Sequence, residues 1–391
     1  MGSVPGFPLY VTASVLAICF SGCSSPRIQV NDPALILTTL SAAGIADGRS
    51  RFREIFCEIR NDHGTGLPDD RPCEDSLWRL GDESTSHNAT AASVQPAFRL
   101  KPIIIPGIFG ECFQDVARPF SDALQHLRSS HGYDGEIVMV SGRSGSDYNA
   151  RQIRDALRSM PVQDGEKLVL IGYSKGTADI LHALVNYPEI QNTIYAFVSI
   201  AGAVGGSPIA DSLVETYGSF LEHIPLSTCA SYDDREVESL TTSYRQAWMC
   251  KNYGNLPRTI RYYSVAAFEQ EDRISIPLLS GYTALAKIDP RNDGQVLFYD
   301  AIIPGSTLLG YAKADHWAIA LPIARNAYII DKIVNNNAFP REVLLEAILK
   351  YLEHDMASVS TGIEAVPGHL ELEPADREPF QAEAGLEEKK P

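Results

Sequence analysis

Five short apolar runs rich in β-branched residues recur between residues 98 and 355. The segments 149–160, 177–187 and 339–354 instead repeat apolar positions with helical spacing. Runs that are apolar on both faces and are separated by helices indicate a mostly parallel sheet covered on each side. The pattern therefore predicts an α/β protein. The predicted strands are Arg99–Pro106, Glu136–Val140, Lys167–Tyr173, Ile194–Ala201 and Thr259–Ala266.

The N-terminus has a different pattern. The apolar run Leu9–Phe20 is too short to span a bilayer but has the length of the hydrophobic region of a signal peptide. It leads into Ser21-Gly22-Cys23, which resembles the box of bacterial lipoproteins, where the cysteine is lipidated and becomes the new N-terminus. We therefore expect a signal peptide over 1–22, lipidation at Cys23, and export as a periplasmic or outer-membrane lipoprotein of a bacterium. An ordinary cleaved signal peptide is the alternative.

The rest of the chain divides into three parts. Residues 23–97 form an N-terminal extension that contains two cysteines beyond the lipoprotein box. Residues 98–355 hold the α/β pattern as one domain, with an insertion at about 204–258 that is longer than an ordinary connection. Residues 356–391 combine low hydrophobicity with prolines and an excess of glutamate. That composition predicts an acidic disordered tail.

Composition excludes several function classes. The 391 residues include 49 acidic and 33 basic side chains, which gives a net charge of −16. Binding to a nucleic-acid backbone needs clustered Lys and Arg, so we expect no nucleic-acid partner. The seven cysteines show no zinc-binding spacing, and we expect no metal and no cofactor. Proximity favours disulfides between Cys57 and Cys73 and between Cys229 and Cys250.

A candidate nucleophile follows the third predicted strand. Gly172-Tyr173-Ser174-Lys175-Gly176 has the form G-x-S-x-G and joins a strand to a helix. Such a sharp turn requires glycine two residues before and after the serine. The N-terminus of the following helix favours developing negative charge. We expect Ser174 to be the nucleophile, with the backbone N–H groups of Lys175 and of Ile108, in the loop 106–111, as the oxyanion hole.

A nucleophilic serine also needs an acid and a histidine, which follow it in that order in this type of site. His316 stands between an apolar stretch and the C-terminal helix, where the base is expected. Asp293 lies in an N-D-G-x-V turn that can hold its carboxylate against an imidazole N–H. Other candidates stay open at this point. They are His223 for the base and Glu269, Asp272 and Asp289 for the acid.

Together these residues resemble the α/β-hydrolase fold, and within it the bacterial lipases and esterases. In those enzymes the first loop reads H-G-hydrophobic-x-G, and 106–110 matches it except for a proline at the histidine position. Segment 203–211 is similar to their PH-x-G-[ST]-x-x-AD sequence, and the spacing from Asp293 to His316 also fits. The resemblance covers about 98–355. Lys175 departs from it, because glutamine or methionine is more usual there, and no calcium-ligand set is evident.

The resemblance implies a serine carboxylic-ester hydrolase that acts on hydrophobic acyl esters through a Ser-His-Asp triad and an acyl-enzyme. Its partner would be a small-molecule or lipid-like ester, and Cys23 would anchor it to a membrane. The departure at Lys175 leaves the reaction intact and makes the substrate the open question. A polyester depolymerase, a thioesterase and an acyltransferase share the same fold. A non-catalytic, envelope-anchored binding protein is the alternative from another class.

The insertion at 204–258 fits a helical cap over the site. Apolar positions indicate one helix after Asp211, as an N-cap, and a second between Val237 and Trp248. Tyr217, Phe220 and Trp248 facing the serine would form an apolar acyl pocket. Both helices could instead complete the core.

Overall fold

An eight-stranded, mostly parallel sheet forms the centre of the protein, as seen in a computed structural model of the chain. The structure describes residues 44–83, 97–108, 110–111, 118–214, 232–233, 235–326 and 338–360. The sheet and its covering helices confirm the predicted α/β class. The predicted signal peptide over 1–22 and the predicted lipidation site Cys23 lie outside the described residues.

The predicted strands all form, and three more join them. The strands are β1 (Ala46–Asp47), β2 (Leu77–Trp78), β3 (Arg99–Ile105), β4 (Glu136–Ile137), β5 (Glu166–Tyr173), β6 (Ile194–Ile200), β7 (Arg261–Phe268) and β8 (Thr307–Lys313). Sequence reasoning missed β1, β2 and β8. The second predicted strand, Glu136–Val140, was too long, because β4 contains only Glu136 and Ile137.

The three predicted helices outside the insertion also form, and the last of them extends beyond the predicted domain boundary. The helices are α1 (Arg49–Asp62), α2 (Cys73–Ser76), α3 (Ser121–His126), α4 (Ser146–Ser159), α5 (Lys175–Asn186), α6 (Pro208–Leu213), α7 (Thr242–Asn252), α8 (Leu279–Leu285), α9 (Ile323–Asn326) and α10 (Arg341–Ser360). A π-helical turn, Leu127–His131, continues α3. No helix among these residues is both long and apolar enough to cross a bilayer.

The strand order is β1-β8-β7-β6-β5-β3-β4, and all neighbours in this series run parallel. β2 pairs with β8 in the antiparallel direction. Because the strands run parallel, the loops after β3, β5, β6, β7 and β8 gather at the carboxyl edge of the sheet. That edge is where ligands bind in open α/β sheets.

The core has two layers because successive strand residues point to opposite faces. Ile104 of β3 belongs to the layer that α1, α3 and α10 cover. Its neighbours Ile103 and Ile105 belong to the opposite layer, under α4 and α5. All three isoleucines are fully buried, which explains why the strands have apolar residues on both faces.

The described part of the N-terminal extension belongs to this sheet. β1 and β2 both pair with β8, and α1 packs against α10 through the fully buried Phe52 and Phe56. A disulfide joins Cys57 of α1 to Cys73 of α2, with the Cα atoms 5.4 Å apart, which confirms that predicted pair. Cys250 is an exposed free cysteine, and its predicted partner Cys229 lies outside the described residues.

The insertion begins differently from the prediction. Helix α6 starts at Pro208, and the Ser207 side chain caps it by accepting a hydrogen bond from the N–H of Ile209. The predicted cap, Asp211, was wrong because this residue lies inside α6 and accepts hydrogen bonds from the backbone N–H and the hydroxyl of Thr242. Asp211 therefore links α6 to α7, which overlaps the helix predicted between Val237 and Trp248.

Candidate active site

Ser174 occupies the turn between β5 and α5 in a conformation that few residues adopt. Its φ is 55° and its ψ is −127°, outside the allowed regions for most side chains. The packing on either side requires glycine. A Cβ at Gly172 would lie 2.6 Å from the Cα of Thr177, and one at Gly176 would overlap the carbonyl oxygen of Ile105. The serine is buried, with 7% of its surface exposed, and it lies directly after the carboxyl end of β5.

His316 lies against the serine hydroxyl. It follows β8 in the chain, and its Nε2 is 2.9 Å from Ser174 Oγ. The hydroxyl of Tyr173 donates a hydrogen bond of 2.6 Å to the carbonyl oxygen of His316, and the two rings are 5.2 Å apart. Burial raises the pKa of Tyr173 well above its usual range, so this hydroxyl stays protonated as a donor.

Asp293 contacts the other nitrogen of the imidazole. Its Oδ2 lies 2.7 Å from His316 Nδ1, while its Oδ1 accepts hydrogen bonds from the backbone N–H groups of Gln295 and Val296. The backbone N–H of His316 also donates to the carbonyl oxygen of Asp293 at 2.8 Å. These bonds hold the carboxylate and the ring together.

The turn that carries His316 depends on a second buried carboxylate that sequence reasoning missed. Asp315 accepts hydrogen bonds from the backbone N–H groups of Ser275, Trp317 and Ala318. Burial raises the pKa of Asp315, and the nearby Asp293 charge adds to that rise. The only sequence signal was the acid directly before the histidine.

The two predicted oxyanion-hole residues are Ile108, which follows a close neighbour of Ser174, and Lys175, which follows Ser174 in the chain. Gly107 approaches so closely that a Cβ there would lie 2.7 Å from the Cβ of Ser174, and Ile108 follows it in the loop after β3. Lys175 is the first residue of α5, so its N–H has no acceptor within that helix. The loop after β3 and the start of α5 therefore both lie next to Ser174.

The side chain of Lys175 is buried in an ion pair that the sequence did not reveal. It is 1% exposed, and its Nζ lies 2.7 Å from Asp179 Oδ1, one turn along α5. Asp179 also accepts a hydrogen bond of 2.7 Å from Asn149 of α4. The charge at this unusual position is therefore neutralised inside the protein.

The other candidate acids and bases have different partners. Glu269 is buried, and its Oε1 accepts a hydrogen bond from the N–H of Gln270. Asp289 pairs with Arg291 at 2.6 Å. Asp272 lies in a 3₁₀ turn after β7, and His223 lies outside the described residues. Among the described candidates, Asp293 is the carboxylate that contacts His316.

Trp248 is half-buried and packs against the core, and the sequence left open whether it would do so or face the serine. It packs among the residues under α4 and α5, and its ring stacks on that of His182 with centroids 4.2 Å apart. His182 is buried and lies 2.7 Å from Asp147. Tyr217 and Phe220, the other predicted pocket residues, lie outside the described residues.

The chain of contacts from Ser174 through His316 to Asp293 can move a proton from a hydroxyl to an imidazole that a carboxylate stabilises. In the described part of the chain, the group of side chains suited to a metal ion lies elsewhere, at His63, His126, His131 and Glu346. No local sequence pattern indicated this group, because its members are far apart in the chain except for His126 and His131.

No protein-family model matches this sequence, and no curated protein matches it. The chain is similar to the solved structure of the metagenomic carboxyl esterase MGS0156, with 38% sequence identity and a TM-score of 0.75, over 83% of this chain and 97% of that chain. It is also similar to Bacillus licheniformis lipase BlEst2 in its mature form, with 20% identity and a TM-score of 0.50, over 66% of this chain and 93% of that chain. The second likeness concerns the fold.

The buried pair of Lys175 and Asp179 makes a prediction about stability. Lys175→Met leaves the Asp179 carboxylate buried without its cation, and we expect a loss of about 3–5 kcal/mol in the free energy of unfolding. Lys175→Met combined with Asp179→Leu should recover most of it. Urea unfolding measures both, and the half-exposed pair Arg235–Glu238 provides the control. Arg235→Met should cost less than about 1 kcal/mol. An equally small effect at Lys175 would contradict this account.

Proposed function

Because this chain belongs to the carboxyl esterases of the α/β-hydrolase fold, we propose that it cleaves esters with Ser174 as nucleophile, His316 as base and Asp293 as the orienting acid. The observation that carries this proposal is the unbroken pair of short contacts, 2.9 Å from Ser174 Oγ to His316 Nε2 and 2.7 Å from His316 Nδ1 to Asp293 Oδ2.

The proposed reaction has two stages. His316 accepts the proton of the Ser174 hydroxyl as Oγ attacks the ester carbonyl carbon, and the same proton passes to the leaving alcohol when the carbon–oxygen bond breaks. Water then attacks the acyl-enzyme as His316 takes its proton, the bond between the acyl carbon and Ser174 Oγ breaks, and His316 returns the proton to Oγ as the acid leaves. Asp293 holds the ring and stabilises the imidazolium that forms in each stage.

Two backbone N–H groups are proposed to stabilise the oxyanion. Lys175 is one donor, because its N–H lies at the start of α5, where the helix dipole also favours negative charge. Ile108 is the other, because Gly107 brings its loop against Ser174. Each such donor contributes about 2.7–4 kcal/mol to transition-state stabilisation in comparable sites.

The proposed substrates are esters of hydrophobic acids. Ile108, Ala203, Leu213 and Val237 belong to one apolar cluster, and Ala203 donates a backbone hydrogen bond to the carbonyl oxygen of Ser174. An acyl chain next to the serine would therefore contact apolar side chains. Polyesters, thioesters and acyl transfer to an alcohol are the alternatives that substrate panels can separate.

Export with a lipid anchor at Cys23 is part of the proposal. The disulfide between Cys57 and Cys73 supports it, because such bonds persist in oxidising compartments outside the cytoplasm.

Removal of the nucleophile tests the reaction. We expect Ser174→Ala to lower kcat for p-nitrophenyl acyl esters by at least about 10⁴-fold with an unchanged melting temperature. A fluorophosphonate probe should label the unmodified protein at Ser174, as peptide mapping would show. A panel of acyl chain lengths, thioesters and polyesters then identifies the preferred substrate. Full activity of Ser174→Ala would contradict the proposal.

The choice of acid is tested by two amide substitutions. Asp293→Asn should lower kcat by about 10⁴-fold, because the amide favours the wrong imidazole tautomer. Glu269→Gln is the matched control, and its kcat should stay within about threefold of the unmodified protein. Steady-state kinetics on one ester decides between them. A large loss in Glu269→Gln with little loss in Asp293→Asn would assign the acid to Glu269.

Lipidation is tested in a bacterial host that expresses the full chain. We expect the protein to fractionate with membranes and its N-terminal peptide to carry lipid on Cys23, as mass spectrometry would detect. Cys23→Ser should release it from the membrane fraction. Cys250→Ser, which changes an exposed free cysteine, should not. An unmodified Cys23, or membrane association that survives Cys23→Ser, would contradict the proposal.

A further inference from the structure

Three histidines and one glutamate converge on the face of the molecule that α1, α3 and α10 share. His63 follows the last residue of α1, His126 ends α3, His131 ends the π-helical turn, and Glu346 lies in α10. One ligand atom from each of the four side chains lies within 4.8 Å of the others. The residues come from opposite ends of the chain, so only the fold brings them together.

The distances within this histidine–glutamate cluster match a tetrahedral metal site. Glu346 Oε2 lies 2.9 Å from Nε2 of His63, 3.2 Å from Nε2 of His126 and 3.1 Å from Nε2 of His131. Metal–ligand bonds of about 2.0–2.1 Å place the atoms of a zinc tetrahedron about 3.3–3.4 Å apart. The three distances from Glu346 are a little shorter than this spacing, and no two of the four ligand atoms are more than 4.8 Å apart.

Hydrogen bonding accounts for only part of the arrangement, because Glu346 Oε2 lies within hydrogen-bond distance of Nε2 of His63 and of His126 but leaves His131 unsatisfied. The carboxylate of Glu346 is 2% exposed, and a buried carboxylate is costly unless a cation or several donors compensate it. His131 Nε2 is buried without a hydrogen-bond partner, although it lies 3.1 Å from that carboxylate. A cation among the four ligand atoms would satisfy both groups at once.

We propose that His63, His126, His131 and Glu346 bind a zinc ion, with three imidazole nitrogens and one carboxylate oxygen as ligands. These are ligands that Zn²⁺ commonly takes in proteins. The hydroxyl of Ser130 lies 3.5 Å from His126 Nδ1, where it can orient the ring from outside the ligand shell. A pocket of about 340 Å³, lined in part by Gly66, Leu67 and the three histidines, opens the cluster to solvent.

The ion would hold the N-terminal extension to the catalytic domain. His63 belongs to the extension, whereas the other three ligands belong to elements that follow β3 and pack on the sheet. α10, which provides Glu346, already packs against both α1 and α3. Because an ion that binds only the folded state stabilises it, this site would link zinc concentration to the stability of the whole fold.

The test uses the full chain without a histidine tag, freed of metal by a chelator. We expect isothermal titration with Zn²⁺ to show one ion per chain and the melting temperature to rise with added Zn²⁺. Co²⁺ should give the visible absorption of a tetrahedral site. Failure to bind one Zn²⁺ per chain would overturn the proposal.

Variants identify the ligands. His63→Gln, at a half-exposed position, and Glu346→Gln should each weaken Zn²⁺ binding by more than about 100-fold, because loss of outer-shell partners alone costs 10–100-fold. His354→Gln is the control, since it lies on the same helix about 12 Å along the axis from Glu346. Zinc binding that survives His63→Gln, or that His354→Gln weakens equally, would overturn the assignment.

Labelling of Ser174 by a fluorophosphonate separates this inference from the proposed reaction. The His63→Gln protein should still be labelled at Ser174 when folded, because the cluster lies outside the proposed triad. Loss of zinc binding with retained labelling supports the site whatever the substrate proves to be. Loss of labelling in a folded His63→Gln protein would overturn the purely structural role given to the ion.

Discussion

The backbone conformation of Ser174 is the constraint on which the site depends. A residue with a φ of 55° and a ψ of −127° costs about 1–3 kcal/mol relative to an ordinary conformation, and surrounding structure must hold it. Two hydrogen bonds to the Ser174 carbonyl oxygen, from the N–H groups of Thr177 and Ala203, anchor the turn to α5 and to the loop after β6. The strained turn presents the hydroxyl to His316 and gives the loop after β3 room to approach.

The sheet brings residues that are distant in sequence to that hydroxyl. Asp293 lies between β7 and β8, and His316 follows β8, so both come from connections at the carboxyl edge. Their contact is reinforced by the hydrogen bond from the His316 N–H to the Asp293 carbonyl oxygen. The buried side chains of Tyr173 and Asp315 hold the turn that carries His316, because they form hydrogen bonds with its backbone. The ring is thereby held before any substrate arrives, which is the preorganisation that proton transfer requires.

The N-terminal extension depends on the same sheet. β1 and β2 both form hydrogen bonds with β8, the strand that precedes His316. Phe52 and Phe56 of α1 are buried in the core layer that α10 also covers. Arg341 at the start of α10 contacts Asp69 of the extension at 2.6 Å. Separate from these contacts, the histidine–glutamate cluster joins the extension to α10 a second time. The segment therefore supports the strand that places the proposed base.

Local patterns in the sequence determined the α/β class, the five main strands and the G-x-S-x-G turn, because periodicity and turn chemistry act over a few residues. They also singled out Asp293 and His316, since each stands in a recognisable turn or after an apolar stretch. Local patterns misplaced the start of α6, where Ser207 rather than Asp211 provides the cap.

Only the tertiary structure decided contacts between distant residues. It placed Asp293 against His316 and left Glu269 bonded to the Gln270 amide, although both acids follow the same strand. It joined Asn149 of α4 to Asp179 of α5 and packed the half-buried Trp248 against the core. It also brought His63 within 2.9 Å of Glu346. Such contacts depend on how strands and helices pack, and no short stretch of sequence encodes that packing.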